Sequence, residues 1–374
     1  MPVSGKIKLM LIDSTKIVSV SREGAPARLK AALGLIEDVC TIGEARVWLE
    51  SGGFTSVGAL NAIGECVAAG CMKIEWSPRS EALRILATGG QEAEELCRRE
   101  PQWWNAAAYE REWDTYPEYN DFLDPASPVY HRKKYQWEVY DDLLKSELGG
   151  LAPGARFLDA GGGIGRASLP LAKRGCAVTL VDASPRALCA AWGHLARAGA
   201  EGYDLAWGEA SRLDFIEDGS MDAALSLEVL CYVPRPEEAL KEIARCVRPG
   251  GWVAYSMENG PGAAIADRHL TFEARLRAIV HGEAQVEGDL HVRYFTDAEL
   301  EDMSRDAGLK DVRIMNCHYF ADGLLDAFTR ERDYSSPAAL RRMAVAERAA
   351  GKMPLVCKLG RATLIVGRKL GARP

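Results

Sequence analysis

The stretch Arg156-Phe-Leu-Asp-Ala-Gly-Gly-Gly-Ile-Gly-Arg166 decides the fold class of this 374-residue chain. A short run of high strand propensity ends on Asp159, and a glycine cluster opens the helix predicted to follow. Glycine lets a backbone turn sharply and approach a ligand, because no Cβ stands in the way. A second predicted strand, 177–181, ends on Asp182. Strand, glycine turn, helix, strand and acid form the layout of a nucleoside-binding α/β domain.

The order of the glycines argues against a dinucleotide as the ligand. The dinucleotide fingerprint is G-x-G-x-x-G, and counting from Gly161 places Arg166 where the third glycine is required. The pattern present is instead Asp-x-Gly-x-Gly-x-Gly, with an acid before the turn. A carboxylate is unfavourable beside a pyrophosphate and favourable beside a cation.

This pattern resembles motif I of the class I S-adenosylmethionine-dependent methyltransferases. Further motifs of that family follow in order, including an acid near the end of a third strand at 206–210 and a strong fourth strand at 222–228. The turn Arg248-Pro-Gly-Gly251, before a fifth strand, is also common in the family. The resemblance spans about residues 130 to 370. It implies a Rossmann-like α/β fold, with a mostly parallel seven-stranded sheet and helices on both faces.

The resemblance also implies the cofactor, S-adenosylmethionine, with S-adenosylhomocysteine as product. The glycine turn would approach the amino acid part of the cofactor, Asp182 would hold the ribose, and Asp159 would either lie beside the methionine amine or order the turn. Arg166 would pair with the cofactor carboxylate or extend to solvent from the first helical turn. The predicted cofactor-binding residues are Asp159, Gly161, Gly163, Gly165, Arg166, Asp182, Ala183, Glu209, Ala210, Leu227, Tyr130 and Tyr135.

Candidates for acceptor chemistry come from two parts of the chain. A general base works best with a pKa near the working pH, which favours histidine, and His291 flanks a predicted insertion that would cover the acceptor pocket. Glu228 and Tyr232 follow the fourth strand, at the side of the cleft where acceptors bind in the family. The chain contains no H-x-E, H-E-x-x-H or clustered cysteines, so no catalytic metal is predicted.

Three regions are predicted. Residues 1–105 form a small, mainly helical unit that resembles a winged-helix domain, 106–150 form an aromatic-rich linker or lid, and 151–374 form the methyltransferase domain with a helical insertion at about 262–290. The aromatic segment could be a packing seam between domains or a lid over the cofactor. Ser184-Pro185, Thr296 with Glu299, and Ser336-Pro337 predict helix starts.

Composition limits the partners. Up to residue 105 there are 12 basic and 13 acidic side chains, and the predicted second helix, 57–67, has neither lysine nor arginine, which argues against DNA binding. The net charge of −7 agrees with this. No signal peptide and no apolar run of 18 residues is present, so we expect a cytoplasmic protein with no membrane partner.

Three functions stay open at this point. The first is methyl transfer to an O or N nucleophile of a small molecule in bacterial secondary metabolism, with the N-terminal unit forming a homodimer. The second is a peptide methyltransferase with that unit as peptide clamp, supported by Gly163-Ile-Gly-Arg166, which also occurs in protein N-terminal methyltransferases, and by acids at Glu258, Asp267 and Glu273 that could attract an amine. The third is a non-catalytic cofactor-binding regulatory protein.

Overall fold

The computed structural model describes residues 89–371 apart from 267–269, 282, 286–290, 321 and 355, together with short stretches before residue 89 (8–9, 16–20, 40–41, 72–75 and isolated positions between 45 and 87). The strands are β1 (Lys8–Leu9), β2 (Lys16–Val20), β3 (Cys40–Thr41), β4 (Met72–Glu75), β5 (Arg156–Ala160), β6 (Ala177–Asp182), β7 (Tyr203–Trp207), β8 (Met221–Ser226), β9 (Val247–Glu258), β10 (Glu283–Gln285), β11 (His291–Arg293), β12 (Leu309–Cys317) and β13 (Ala362–Lys369). The helices are α1 (Gly90–Arg99), α2 (Trp104–Thr115), α3 (Pro117–Asn120), α4 (Tyr130–Leu143), α5 (Lys145–Gly149), α6 (Ser168–Lys173), α7 (Pro185–Arg197), α8 (Pro236–Cys246), α9 (Gly260–Ala266), α10 (Phe272–His281), α11 (Asp297–Asp306) and α12 (Pro337–Ala350).

The main sheet has the order β1-β7-β6-β5-β8-β9-β13-β12. Strands β7, β6, β5, β8 and β9 are parallel, and β13 runs antiparallel to both β9 and β12. Seven of these strands are the mostly parallel Rossmann-like sheet predicted from the sequence. The eighth, β1, comes from the region assigned to the N-terminal unit and pairs in parallel with β7.

The order of the strands creates a crevice. The chain builds β5, β6 and β7 outward in one direction, and then returns to place β8 on the other side of β5. In open α/β sheets, ligands bind at the carboxyl ends of the strands where the order reverses. Helices cover both faces of the sheet, so its central strands are buried on both sides and read as continuous apolar runs. Phe157, Leu158 and Leu180 are fully enclosed.

Helix starts follow the predicted capping chemistry. Ser184 and Ser336 each accept the backbone N–H three residues on, with proline in the first helical position. Thr296 and Glu299 form the predicted capping box at the start of α11. These local hydrogen bonds satisfy N–H groups that the helix itself leaves free, and they fix where each helix begins.

The N-terminal region contains a three-stranded antiparallel sheet of order β3-β2-β4. Most of the predicted second helix, 57–67, and most of residues 1–88 lie outside the described residues, so the winged-helix resemblance stays a prediction. The insertion predicted at 262–290 contains α9 and α10, and it also adds the antiparallel pair β10–β11. Within the described part of the chain, no helix is long and apolar enough to cross a membrane.

Candidate active site

A cavity of about 370 Å³ lies at the carboxyl ends of β5, β6 and β8. Its volume falls in the range of ordinary small-molecule sites, about 300–1,000 Å³. The lining side chains come from the glycine turn, from the ends of the parallel strands and from the aromatic segment; among them are Trp103, Asn105, Tyr109, Tyr119, Phe122, Lys133, Gly161, Gly163, Arg166, Asp182, Ala183, Glu209, Ala210, Leu227, Glu228, Tyr232 and Arg361. A groove of about 430 Å³ beside Asp222 and Arg248 lies before the start of β8, away from these strand ends.

The glycine turn is shaped by its packing against the strands on either side. The N–H groups of Gly161 and Gly162 donate to the Val181 carbonyl at 2.7 and 3.1 Å. Gly161 has φ 75°, and a Cβ on it would meet the Val229 side chain at 2.4 Å. Gly163 has φ 53° and lines the cavity. Glycine is therefore required at Gly161 both by conformation and by space.

Asp182 is buried at the end of β6 and faces the cavity. Its carboxylate accepts the backbone N–H of Gly163 and that of Ser184, both at 2.8 Å. Burial raises the pKa of Asp182 to about 6, in spite of these two donors. Each oxygen keeps a lone pair for a further donor, so the carboxylate can accept hydrogen bonds from the hydroxyls of a ribose. This arrangement fits a nucleoside.

Asp159 lies where it could order the turn, which is the second of its two predicted roles. Its buried carboxylate accepts the Ser168 hydroxyl at 2.6 Å and is not among the groups that line the cavity. A Cβ on Gly162 would come within 2.8 Å of the carboxylate oxygen. Burial raises the pKa of Asp159 to about 6. Asp159 therefore supports the idea that this acid orders the turn.

Two further arginine–carboxylate pairs lie beyond the turn. Arg166 Nη2 lies 3.3 Å from Glu228 Oε2, and Arg361 Nη2 lies 2.6 Å from Glu258 Oε1. Arg361 Nη1 is also 3.9 Å from Glu228 Oε1. Arg166 Nη1 is buried and has no hydrogen-bond partner in the described structure. An unpaired buried donor is costly, so this guanidinium is placed to receive an anionic group from a ligand.

Glu228 has an unusual backbone and an unusual charge environment. Its φ of 58° lies in the left-handed region, where a residue other than glycine is strained, and such strain is frequent at functional sites. Burial by itself would raise the pKa of Glu228, but Arg166, Lys133 and Arg361 together hold it well below its usual range. The carboxylate is therefore ionised and a weak base. This argues against the predicted role of Glu228 as a general base.

The aromatic segment contributes part of the cavity wall. Trp103, Tyr109, Tyr119 and Phe122 line the cavity, and α2 lies across it. Arg186 on α7 holds α2 in place through its contacts with Glu110 and Asp114. In this stretch the segment lines the cleft, and whether it acts as a lid or as a packing seam between domains stays a prediction.

Two tyrosines predicted to bind the cofactor lie elsewhere. Tyr135 is buried between α4 and α12, where its hydroxyl contacts Glu347 and its ring stacks on Tyr334. Tyr130 lies at the start of α4, and its ring is in contact with His131. Neither tyrosine lines the cavity. The packing of α4 against α12 turns Tyr135 away from the cleft.

Most of the remaining predicted residues line the cavity. Arg166, Ala183, Glu209, Ala210, Leu227 and Tyr232 line the cavity, and Gly165, with φ 84°, lies behind it against Leu180 and Ala191. His291 begins β11 and pairs with Gln285, while its side chain is outside what the structure describes. Asn105, Lys133 and Arg361 also line the cavity and were not predicted from the sequence. Each is brought to the cavity by tertiary packing and belongs to no local motif.

The chain is similar to known methyltransferases. A family model described as "Methyltransferase domain" matches residues 158–255. A ubiquinone biosynthesis O-methyltransferase from Cupriavidus pinatubonensis is 31% identical over 198 residues, which cover 53% of this chain and 76% of the relative. One of the same name from Aromatoleum aromaticum is 32% identical over 170 residues, 46% of this chain and 70% of the relative. Among solved structures, phosphoethanolamine N-methyltransferase 2 from Haemonchus contortus has a TM-score of 0.44 at 18% identity, covering 68% of this chain and 60% of that one.

The switch-point cavity, the glycine turn and the acid that ends β6 define a nucleoside-binding α/β enzyme. With the matched domain and relatives, the chain belongs to the class I S-adenosylmethionine-dependent methyltransferases. Its cofactor is S-adenosylmethionine, and the free lone pairs of Asp182 and the unpaired Nη1 of Arg166 fit the ribose and the carboxylate of that molecule.

Proposed function

We propose that this methyltransferase acts on an oxygen nucleophile of a small aromatic molecule. The observation that carries the proposal is the lining of the cavity. Its walls hold aromatic side chains, including Trp103, Tyr109, Phe122 and Tyr232, together with the cationic side chains of Arg166, Arg361 and Lys133. Aromatic walls favour a flat ring, and cations favour an acceptor that reacts as an anion.

The cofactor, when bound, supplies a methyl group on a sulfonium for in-line displacement by the acceptor. Asp182 and the glycine turn would hold the adenosine and methionine parts, and α2 would form one wall of the cleft. Holding donor and acceptor in line can supply most of the rate enhancement of such a transfer. The protein then has little covalent chemistry to perform.

Activation of the acceptor follows from the charges of the site. Glu228 is a weak base, and burial raises the pKa of Tyr232 well above its ordinary value, so that this phenol stays protonated. Arg166 and Arg361, which lower the pKa of Glu228, would also lower the pKa of an acceptor hydroxyl placed beside them. We therefore infer that the acceptor oxygen is ionised by its surroundings and needs no strong protein base.

The relatives support oxygen as the acceptor atom, since the two similar proteins reported above are named O-methyltransferases. The peptide alternative has less support. Glu258, one of the acids expected to attract an amine, is buried and paired with Arg361, and Glu273 is exposed on α10 outside the cavity lining. Asp267 lies outside the described residues.

The test is methyl transfer from deuterium-labelled S-adenosylmethionine to a panel of phenols, catechols, primary amines and short peptides, read by mass spectrometry. We expect label on aromatic oxygens. Label on amines or peptide α-amines alone would refute the proposal. The rate should fall at low pH in the Glu228→Gln variant as it does in the wild type, because Glu228 does not titrate in the working range. If the substitution abolishes this fall in rate, Glu228 is the base.

We also propose that the N-terminal unit forms a homodimer. We propose further that the enzyme acts in bacterial secondary metabolism. Sedimentation of the full chain tests the first. The genes beside its own test the second, because a biosynthetic cluster would identify the acceptor.

A further inference from the structure

The positive and negative side chains around Glu228 are not equal in number. Arg361 is paired with Glu258 and Arg166 with Glu228, but no carboxylate of the described residues lies within 4.0 Å of the Lys133 ammonium. Three cations therefore face two carboxylates. Lys133 is the cation in excess.

Lys133 faces the cavity from α4. It is one of the lining residues, and its ammonium lies 5.8 Å from the centre of the Phe122 ring. Asp322, the other acid that acts on Lys133, already accepts hydrogen bonds from Arg132 at 2.6 Å and from Gln136 at 2.8 Å. Removal from water lowers the pKa of Lys133, since burial disfavours the charged form.

The surroundings of Lys133 place it on the acceptor side of the cleft. Asp182, which ends β6, and Glu209, which follows β7, would hold the adenosine. The charges that act on Lys133 come from Glu228 after β8 and Arg361 before β13, on the opposite side of the glycine turn. Arg166 directly follows that turn and has its own free Nη1, so the cofactor carboxylate has a partner without Lys133.

Lys133 is partly buried, and a cation that is partly withdrawn from water without a partner is less favourable than one paired with an anion. Ligand binding would remove this cost and add a charge-assisted hydrogen bond. Lys133 therefore discriminates among acceptors by charge. It favours an anionic group and penalises an ammonium in the same place.

We propose that Lys133 binds an anionic substituent of the acceptor, and that the natural acceptor is an aromatic hydroxy acid carrying a carboxylate away from the oxygen that is methylated. This inference rests on the proposed function and extends it to the class of acceptor.

The experiment uses the full-length protein saturated with S-adenosylhomocysteine. Three probes share one catechol ring and differ only in the substituent: 3,4-dihydroxybenzoate, catechol and 3,4-dihydroxybenzylamine. By isothermal titration we expect the carboxylate probe to bind about tenfold more tightly than catechol, and the amine more weakly than both. Lys133→Met should remove most of the preference for the carboxylate. Lys134→Met is the matched control, because the Lys134 ammonium lies over the Tyr130 ring outside the cavity and its loss should leave the preference intact.

Three results would overturn the proposal. One is a wild-type protein that binds the carboxylate no better than catechol, or not measurably. Another is a Lys133→Met variant that keeps the preference for the carboxylate. The third is a variant whose affinity for S-adenosylhomocysteine itself falls about tenfold with the preference unchanged, which would assign Lys133 to the cofactor carboxylate. Thermal unfolding of each variant confirms that it is folded.

Methyl transfer to the same probes separates the two levels of inference. Transfer to catechol oxygen without a carboxylate preference would refute the role of Lys133 and leave the proposed function standing. Transfer to the benzylamine nitrogen alone would refute the proposed function.

Discussion

Lowering the pH below 6 should weaken S-adenosylmethionine binding through protonation of Asp182. Its carboxylate accepts two backbone N–H groups and must be ionised to accept the ribose hydroxyls fully. Burial raises its pKa in the free protein to about 6. One pH unit below this value, about nine in ten molecules carry the proton, so the dissociation constant should rise about tenfold for each further unit of acidification.

The raised pKa of Asp182 also determines how this group affects the free energy of unfolding at low pH. Asp182 ionises more easily when unfolded, near 3.8, than when folded, near 6, so its ionisation costs the folded protein about 3 kcal/mol above pH 6. This cost disappears as the pH falls from 6 to 3.8. Loss of cofactor binding at pH 5 is therefore not unfolding driven by this group.

Isothermal titration with S-adenosylmethionine between pH 5 and pH 8 measures the effect, with circular dichroism at each pH to confirm the fold. Asp182→Asn should bind at least about tenfold more weakly at pH 7.5 and lose the pH dependence, because a charge-assisted hydrogen bond contributes about 1.5–3 kcal/mol. Asp159 also has a pKa of about 6, so Asp159→Asn is the necessary control and should keep the slope. A dissociation constant that stays constant from pH 7.5 to pH 5 would refute the reasoning, and so would a slope abolished by Asp159→Asn alone.

Two further variants test the packing around the site. Tyr135→Phe removes the buried hydroxyl that contacts Glu347, so urea unfolding should show a loss of about 1–3 kcal/mol while cofactor affinity stays within about twofold; unchanged stability with a large loss of affinity would return Tyr135 to the cofactor site. Arg186→Ala removes the ion pairs that connect α7 to Glu110 and Asp114 on α2. Stopped-flow tryptophan fluorescence should then show faster release of S-adenosylhomocysteine, by less than about fivefold because the pairs are partly exposed. An unchanged release rate would mean that α2 does not limit escape from the cleft.

The predictions that held depend on short-range chemistry. The glycine turn, the acid that ends β6 and the capping box at Thr296 each involve residues a few positions apart, or strands whose order is restricted by general rules of α/β topology. Such features can be read from spacing. The general shape of the nucleoside site could therefore be predicted before any contact was known.

The predictions that did not match the structure depend on how distant elements pack. Periodicity placed Tyr135 on a helix before the glycine turn, but its partner Glu347 is 212 residues further along the chain. The low pKa of Glu228 could not be predicted from the sequence. It depends on Arg166, Lys133 and Arg361 lying at the same cavity, and Arg361 is 133 residues further along the chain.

By itself the sequence determined the fold class, the cofactor and the conformation of the glycine turn, because these depend on backbone conformation, strand order and local motifs. Only the tertiary structure decided which charges meet at the acceptor side of the cleft. The pairing of Arg166 with Glu228, and of Arg361 with Glu258, leaves Lys133 without a carboxylate. Side chains far apart in the chain come together there because α4 packs against the sheet while β13 pairs with β9 within it, and both bring side chains to one cavity.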